Sequence, residues 1–418
     1  MGYTEKLIDF IGKSTDCYHA VKTAKDRLDE NGFTELFEGD KWEVQSGGKY
    51  YVIRNSSSII AFEMPKKDFG AFMICASHTD SPSFKLKPDF EINADGCIKL
   101  SVEGYGGMIM SSWLDRPLSI SGRIVTAKDG KVETKLVNID RDLLVIPSLA
   151  IHMSRDINKG YEFNIRRDMC PIASEKNGRI EDIIAENVDV DKEEILGFDL
   201  SLYNRMRGTV LGADGEYFSA PRIDDLQCMY STLEGFLNSE SDDNVTVFAA
   251  FDNEEVGSGT KQGAKSSFLR DVLERICNNS ETYKRAVAKS FMLSCDNAHA
   301  VHPNFADKSD GTNRVYMNGG IVIKYNANQR YTTDAVSEAV VKYVCKNAGV
   351  PYQMYANRSD IPGGSTLGNL SNEKVSLNTA DIGLAQLAMH SSYETAGSRD
   401  TEYMVKMIKE FYKTEIVF

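Results

Sequence analysis

Five short segments of the chain, most of them strongly apolar, each lead directly into a cluster of polar residues. The segments are residues 72–76, 216–220, 245–251, 291–294 and 384–389. Continuously apolar runs of this length are typical of strands that are covered on both faces, and the stretches between several of them have helical spacing. Buried strands that alternate with helices predict an α/β fold, in which a mixed sheet is covered by helices on both faces.

The middle third of the chain has a different pattern. From about residue 93 to residue 207, glycines and short β-prone pieces dominate, with a turn signal at Asp129-Gly130, and the alternation of strands and helices resumes afterwards. This change predicts two domains. One is discontinuous and comprises residues 1–92 and 208–418, and the other is an inserted β-rich domain of residues 93–207.

Composition excludes several classes of partner. The 418 residues include 48 Lys+Arg against 61 Asp+Glu, a formal net charge of −13. An acidic surface repels phosphate backbones, so we expect no binding to nucleic acid. No apolar run reaches the roughly 18 residues of a membrane span, so we expect no membrane association. The start of the sequence does not resemble a signal peptide, and the eight cysteines form no Cys-x-x-Cys pair, so the expected location is cytoplasmic.

The polar clusters contain donors that suit metal ions. In open α/β sheets the carboxyl ends of neighbouring strands share one crevice, so the five clusters should converge there. Three carboxylates largely offset the charge of two divalent ions. Histidine and carboxylate donors without thiolate favour zinc, with manganese or cobalt as alternatives. Two neighbouring ions activate water and polarise a carbonyl group, as hydrolases require. The predicted ligands are His78, Asp224, Glu255, Asp296 and His390.

Two further carboxylates fit supporting roles. Successive residues at a strand end point in different directions, so one of Glu254 and Glu255 can bind an ion while the other acts as a general base. Asp80 lies two residues after His78 and can orient its ring. Each residue also has an ordinary interpretation when taken alone, such as a helix N-cap for Asp224-Asp225. Their joint placement at strand ends favours the metal site.

Around these residues the chain resembles the aspartyl aminopeptidase family of dinuclear zinc metallopeptidases. The matching segments lie in family order and run from residue 19 to residue 391. The resemblance implies removal of N-terminal residues, aspartate or glutamate, from peptides by metal-activated water. The matching segments are residues 19–21, 77–82, 149–152, 221–226, 252–258, 296–304, 329–331 and 386–391.

The resemblance also implies a role for each matching residue. Asp224 would bridge two divalent ions, most simply Zn²⁺, and the four other predicted ligands would complete the site. Glu254 would be the general base and Asp80 would orient a ligand. His152 would reach the active site of a neighbouring subunit and stabilise the oxyanion, while Lys324 and Tyr331 would bind the substrate. The inserted domain would form homodimers that assemble into a tetrahedral homododecamer.

Two other functions stay open at this stage. The same metal pair would serve a deacylase that acts on non-peptide amides, and a non-catalytic shell or cargo-binding assembly would retain the fold. Two local differences from the family leave the substrate preference open. Residues 391–395 lack the family's arginine before Glu394, and Asp225 stands where many members carry asparagine.

Overall fold

The computed structural model describes residues 2–175, 178–361, 363–364 and 366–416. The helices in that part of the chain are α1 (Tyr3–Lys13), α2 (Cys17–Glu30), α3 (Ile165–Asp168), α4 (Ile180–Asn187), α5 (Ile223–Leu237), α6 (Phe268–Ile276), α7 (Ser280–Lys289), α8 (Ala335–Ala348), α9 (Leu367–Ser371) and α10 (Asp400–Lys413). The strands are β1 (Thr34–Glu35), β2 (Lys49–Arg54), β3 (Ser58–Glu63), β4 (Phe72–His78), β5 (Ser83–Ala94), β6 (Cys97–Tyr105), β7 (Leu118–Lys128), β8 (Lys131–Asn138), β9 (Ile172–Glu175), β10 (Ile195–Asn204), β11 (Thr209–Leu211), β12 (Tyr217–Ala220), β13 (Val245–Phe251), β14 (Phe291–Cys295), β15 (Ala298–His299), β16 (Ile321–Tyr325), β17 (Tyr352–Ala356), β18 (Asn378–Gly383), β19 (Ala385–Leu387) and β20 (Glu394–Gly397).

The chain divides into two units. The first comprises Met1–Asp80, Gly208–Met389 and Glu394–Phe418, and the second comprises Ser81–Arg207 with His390–Tyr393. The second unit therefore starts at Ser81, whereas the sequence predicts an insertion from residue 93. Residue 93 lies inside β5, whose apolar side chains Phe84 and Phe90 pack into the core of the second unit.

A mixed sheet forms the centre of the first unit. Across the described residues it has nine strands in the order β1-β2-β3-β13-β4-β14-β18-β16-β17. The neighbours β13, β4, β14 and β18 run parallel to one another, and β3 and β16 flank them in the antiparallel direction. A separate sheet of the same unit has the order β11-β12-β20-β19-β15.

Helices cover both faces of the mixed sheet. Along β4, Met73 and Cys75 contribute to a core with α1, α2, α5, α8 and α10. The alternate residues Phe72, Ile74 and Ala76 face a second core with α6, α7 and α9. Because side chains alternate along a strand, a strand covered on both faces is apolar along most of its length. The predicted fold class is therefore confirmed.

The second unit has its own antiparallel sheet. Its order in the described residues is β8-β7-β10-β5-β6-β9. Its core includes the edge-to-face ring pair of Phe84 and Trp113, with centroids 5.2 Å apart. The β-rich character predicted for this part of the chain agrees with this sheet.

No described helix combines the length and the apolar character that crossing a lipid bilayer requires.

Candidate metal centre

Strand register brings the first donors to one level of the sheet. β13 and β4 pair in parallel with Phe251 opposite His78. β14 pairs with β4 so that Ser294 lies opposite Ala76, and two residues later Asp296 comes level with His78. The convergence that the sequence predicts for these strand ends therefore follows from parallel pairing.

His78 lies at the centre of a group of carboxylates. Its Nε2 atom is 3.4 Å from an oxygen of Asp224 and 4.0 Å from an oxygen of Asp296. Each of four residues, His78, Asp224, Asp225 and Asp296, offers a ligand atom, and these atoms all lie within 4.8 Å of one another. The side chains of His78 and Asp225 are almost completely buried.

Glu254 and Glu255 form a second group with the same histidine. Ligand atoms of His78 and of both glutamates also lie within 4.8 Å of one another. The glutamates begin a short 3-10 turn, which follows a left-handed residue, Asn253 (φ 65°). This turn redirects the chain as it leaves β13 and turns both carboxylates toward the cluster. Which glutamate binds an ion stays a prediction.

Asp80 connects His78 to the glutamate turn. Its two carboxylate oxygens accept hydrogen bonds from the backbone N–H groups of Glu254 and Glu255, at 3.1 and 3.2 Å. The Nδ1 atom of His78 lies 3.1 Å from the backbone oxygen of Asp80 and 3.4 Å from its carboxylate. A carbonyl oxygen can only accept, so Nδ1 is the donor, and Nε2 faces Asp224 and Asp296.

Asp224 and Asp225 enter the cluster from the start of α5. Both have non-helical backbone angles and buried side chains, and the peptide bond between them is cis. The preceding Arg222 is left-handed (φ 56°), and its guanidinium donates to the carbonyl oxygens of Ile11 and Ser14. The two aspartates are thus turned inward, and the ordinary interpretation as an exposed helix cap does not describe them.

The pKa values reflect this crowding of acidic groups. Burial is the largest influence on Glu254, Glu255 and Asp225, and raises the pKa of each carboxyl, that of Glu254 to about 8. Burial alone would lower the pKa of His78, but the neighbouring carboxylates, Asp225 first, raise it well above its ordinary value. Without added cations the cluster therefore holds protons.

The donor set fits divalent metal ions. We use the term carboxylate cluster for six side chains around His78, and one ammonium, that of Lys324, is paired with one of them. So many neighbouring carboxyl groups can be ionised together only beside cations, and oxygen donors with an imidazole suit zinc or manganese. The members of the cluster are Asp80, Asp224, Asp225, Glu254, Glu255 and Asp296.

Lys324 and Tyr331 lie beside the cluster. Lys324, in β16, is 3% exposed, and its Nζ atom is 3.4 Å from an oxygen of Asp296. The same ammonium lies 5.5 Å from the centroid of the Tyr331 ring. Burial alone would lower the pKa of Lys324, but Asp296 and Tyr331 raise it above its ordinary value. Lys324 is therefore a buried cation and not a surface lysine.

Two predicted residues, His390 and His152, belong to the second unit. The Nδ1 atom of His390 lies 2.6 Å from the backbone oxygen of Gly107, and the residue is left-handed (φ 66°). His152 is exposed, and the neighbouring Ile151 and Met153 are also exposed. The roles of both histidines stay predictions.

A buried chain of hydrogen bonds, not predicted from the sequence, orients Asp224. The side chain of Asn297 donates to Gln386, and that of Gln386 donates to Glu394 at 3.2 Å. The other oxygen of Glu394 accepts the backbone N–H of Asp224 at 3.0 Å. Asn297 and Gln386 lie inside segments that match the family, and that match could have pointed to these two residues.

Comparisons with known proteins show which family the chain belongs to. The sequence model of the aminopeptidase I zinc metalloprotease family, M18, matches residues 10–412. The chain belongs to the M18 peptidase family. It is 45% identical over 426 residues to a probable M18 family aminopeptidase 2 of Clostridium novyi, with 98% of each chain covered. Membership of this family confirms the prediction that the protein is a zinc-dependent aminopeptidase.

Solved structures are similar along the same length. A structure of the Ape4 and Nbr1 complex has a TM-score of 0.95 and 35% identity, and the match covers 98% of this chain and 85% of that chain. The structure of the S. cerevisiae mApe1 dodecamer has a TM-score of 0.85 and 29% identity, with 98% and 96% covered. The M18 peptidase therefore shares its fold with other aminopeptidases.

Proposed function

We propose that this M18 aminopeptidase removes aspartate or glutamate from the N-termini of peptides, with two divalent ions and with Glu254 as the general base. The observation that supports this most strongly is the carboxylate cluster at the aligned ends of β4, β13 and β14. So many carboxylates in one place repel one another unless cations offset their charge, and groups with shifted pKa values of this kind are typical of functional sites.

Two overlapping groups of donors support a pair of ions. His78 belongs to the group that contains Asp224 and Asp296 and also to the group that contains Glu254 and Glu255. The mixture of imidazole and carboxylate favours Zn²⁺, with Mn²⁺ or Co²⁺ as alternatives. The proposed ligands are those expected from the sequence: His78, Asp224, Glu255, Asp296 and His390.

Glu254 is the proposed proton carrier. When bound, divalent ions lower the pKa of water and polarise a peptide carbonyl group. Glu254 accepts the proton of the attacking water and passes it to the leaving amine. Asp80 holds the backbone of Glu254 and Glu255, so it fixes the direction from which that carboxylate acts.

Lys324 supports the preference for an acidic first residue. Its buried ammonium carries three N–H donors, and the pairing with Asp296 at 3.4 Å engages only part of that capacity. Tyr331 packs beside it and limits the space around the charge. An acidic side chain would form a charge-assisted hydrogen bond there, whereas an apolar one would leave the ammonium without this partner.

The proposed assembly is a homododecamer of dimers formed through the second unit. The 29% identity to a protein solved as a dodecamer supports it. Leu149, Ile151 and Met153 are exposed apolar side chains around His152, as expected of a segment that a neighbouring subunit covers. His152 would then stabilise the oxyanion in the neighbouring active site. The cytoplasmic location stays a prediction from the sequence.

A substrate panel tests the proposed specificity. The zinc-loaded enzyme is assayed with Asp-, Glu-, Ala- and Leu-arylamides and with N-acetyl-Asp-arylamide. We expect the Asp or Glu substrate to have the highest kcat/KM and the blocked substrate to be inert. Release of acetate from the blocked substrate, without arylamine release from the unblocked ones, would favour a deacylase, and no activity on any amide would favour a non-catalytic assembly. Light scattering should give twelve times the mass of one chain.

A further inference from the structure

A buried carboxylate outside the carboxylate cluster ties two segments to the mixed sheet. Asp381 lies in β18 and is 0% exposed. Its Oδ2 atom accepts hydrogen bonds from the backbone N–H and the hydroxyl of Thr332, at 2.5 and 2.6 Å. Its Oδ1 atom accepts from the hydroxyl of Thr366 at 2.5 Å. One side chain therefore anchors the segment before α8 and the residue that precedes α9.

The surroundings of Asp381 are built around this carboxylate. Its backbone N–H donates to the hydroxyl of Thr333 at 2.9 Å, which gives the segment before α8 a further anchor point. A Cβ atom on Gly368 would lie 3.0 Å from both carboxylate oxygens, so a larger residue would push α9 away. Loss of hydrogen bonds to a buried carboxyl group is costly, because it leaves donors without partners.

The anchored segment carries part of the proposed substrate pocket. Thr332 follows Tyr331 directly, and the ring of Tyr331 lies 5.5 Å from the ammonium of Lys324. β16 and β18 are antiparallel neighbours with Ile323 opposite Ile382, so Asp381 comes next to Lys324 in the register. Asp381 also contributes, after burial, Asp296 and Tyr331, to the pKa of Lys324. Asp381 thus lies beside Lys324 in the sheet and binds the residue that follows Tyr331.

We propose that Asp381 is a positioning residue that sets the specificity of the aminopeptidase. By holding Thr332 and Thr366, it fixes Tyr331 and Lys324 around the first side chain of the substrate. Asp381 is fully buried and acts only through these residues. The inference rests on the proposed function, which assigns Lys324 and Tyr331 to that pocket.

Three variants separate the anchoring from the charge. In Asp381→Asn the amide oxygen can accept from Thr332 and the amide nitrogen can donate to Thr366, so the anchor is retained. Asp381→Ala and Thr332→Val remove all or part of it. Thr23→Val is the matched control, because the Thr23 hydroxyl bonds to His19 within α2.

Kinetics give the first readout. We expect Thr332→Val to raise KM for Asp-arylamide about tenfold with kcat within about twofold, because the loss affects binding of the side chain rather than the bond that reacts. The change with Ala-arylamide should be smaller. Asp381→Ala should show a larger effect of the same kind, and Asp381→Asn should lie closer to the wild type. The proposal is overturned if Thr332→Val leaves every KM at the wild-type value, or if kcat falls as much as KM rises.

Hydrogen exchange gives a readout that does not depend on the substrate. The Thr332 amide should exchange faster in Asp381→Ala than in the wild type, and Asp381→Asn should restore its protection. If the wild type proves to prefer a non-acidic residue, the proposed function fails. The exchange result and the KM change for the preferred substrate then still test Asp381. If Asp381→Ala does not fold, Thr332→Val still carries the KM measurement, because it removes the hydroxyl that bonds to Asp381. Wild-type exchange at the Thr332 amide in Asp381→Ala would overturn the proposal.

Discussion

Replacement of Asp80 by asparagine tests how the carboxylate cluster holds its base. Each oxygen of Asp80 accepts one backbone N–H, that of Glu254 at 3.1 Å and that of Glu255 at 3.2 Å. Asparagine has a single side-chain oxygen, so its amide group would face one of these N–H groups. One hydrogen bond to a charged acceptor, which contributes roughly 1.5–3 kcal/mol, is thereby replaced by a contact between two donors.

The size of the expected effect follows from that loss. If the whole energy of the lost hydrogen bond goes into misplacing Glu254 in the transition state, kcat falls by about 10- to 150-fold, since about 1.4 kcal/mol corresponds to a tenfold change in rate. We expect KM to change by less than about twofold because Asp80 holds the backbone of Glu254 and not the substrate. Steady-state kinetics on protein of known zinc content measure both quantities.

Asp400→Asn is the matched control for this change. The oxygens of Asp400 likewise accept two backbone N–H groups, those of Asn318 and Gly320, at the start of α10. The control changes an equivalent pair of backbone contacts and should keep the wild-type kcat. An Asp80→Asn enzyme with full zinc content and wild-type kcat would refute the reasoning. Equal losses of kcat in the two variants would refute it as well.

Three further predictions follow from the same structure. Glu254→Gln keeps the shape of the side chain but cannot carry a proton, so it should bind wild-type zinc and lose kcat by at least about 100-fold; normal turnover would exclude Glu254 as the base. In zinc-free protein, burial raises the pKa of Glu254 from 4.5 to about 8. The folded state then holds a proton that the unfolded chain releases, so stability should fall as pH rises through that window, and the stabilisation by zinc in urea unfolding should grow with pH. A pH-independent gain from zinc would contradict this. Burial also raises the pKa of Asp400 to about 7. The zinc-loaded wild type should therefore lose stability between pH 4 and pH 7, with a slope of at most about 1.4 kcal/mol per pH unit. Asp400→Asn should lack this contribution, and identical pH slopes in the two proteins would contradict the prediction.

The sequence was sufficient to predict the sheet that carries the site. Strands such as β4 and β13 are apolar at most positions because helices cover both faces, and such runs can be recognised without a structure. The polar residues directly after them, including Glu254 and Asp296, then had to lie at one edge of the sheet. Because β14 and β4 pair in parallel, Asp296 comes level with His78.

Other features depend on contacts between residues far apart in the chain. The sequence suggested one sheet for all five polar clusters, but β12 and β19 belong to a separate sheet. Asp225 resembled a helix cap, and only the turn at the start of α5 directs it inward. The role of Asp381 rests on Thr332 and Thr366, which precede it by 49 and 15 residues. No local pattern of apolar and polar residues predicts contacts between segments so far apart in the chain.

The central claim is that the carboxylate cluster binds two zinc ions. Anomalous diffraction at the zinc edge, from crystals of the active enzyme, tests it most directly. We predict two peaks about 3.5–4 Å apart, with Asp224 between them and with Glu254 bound to neither. A single peak, or peaks outside the group formed by His78, Asp224 and Asp296, would contradict the account.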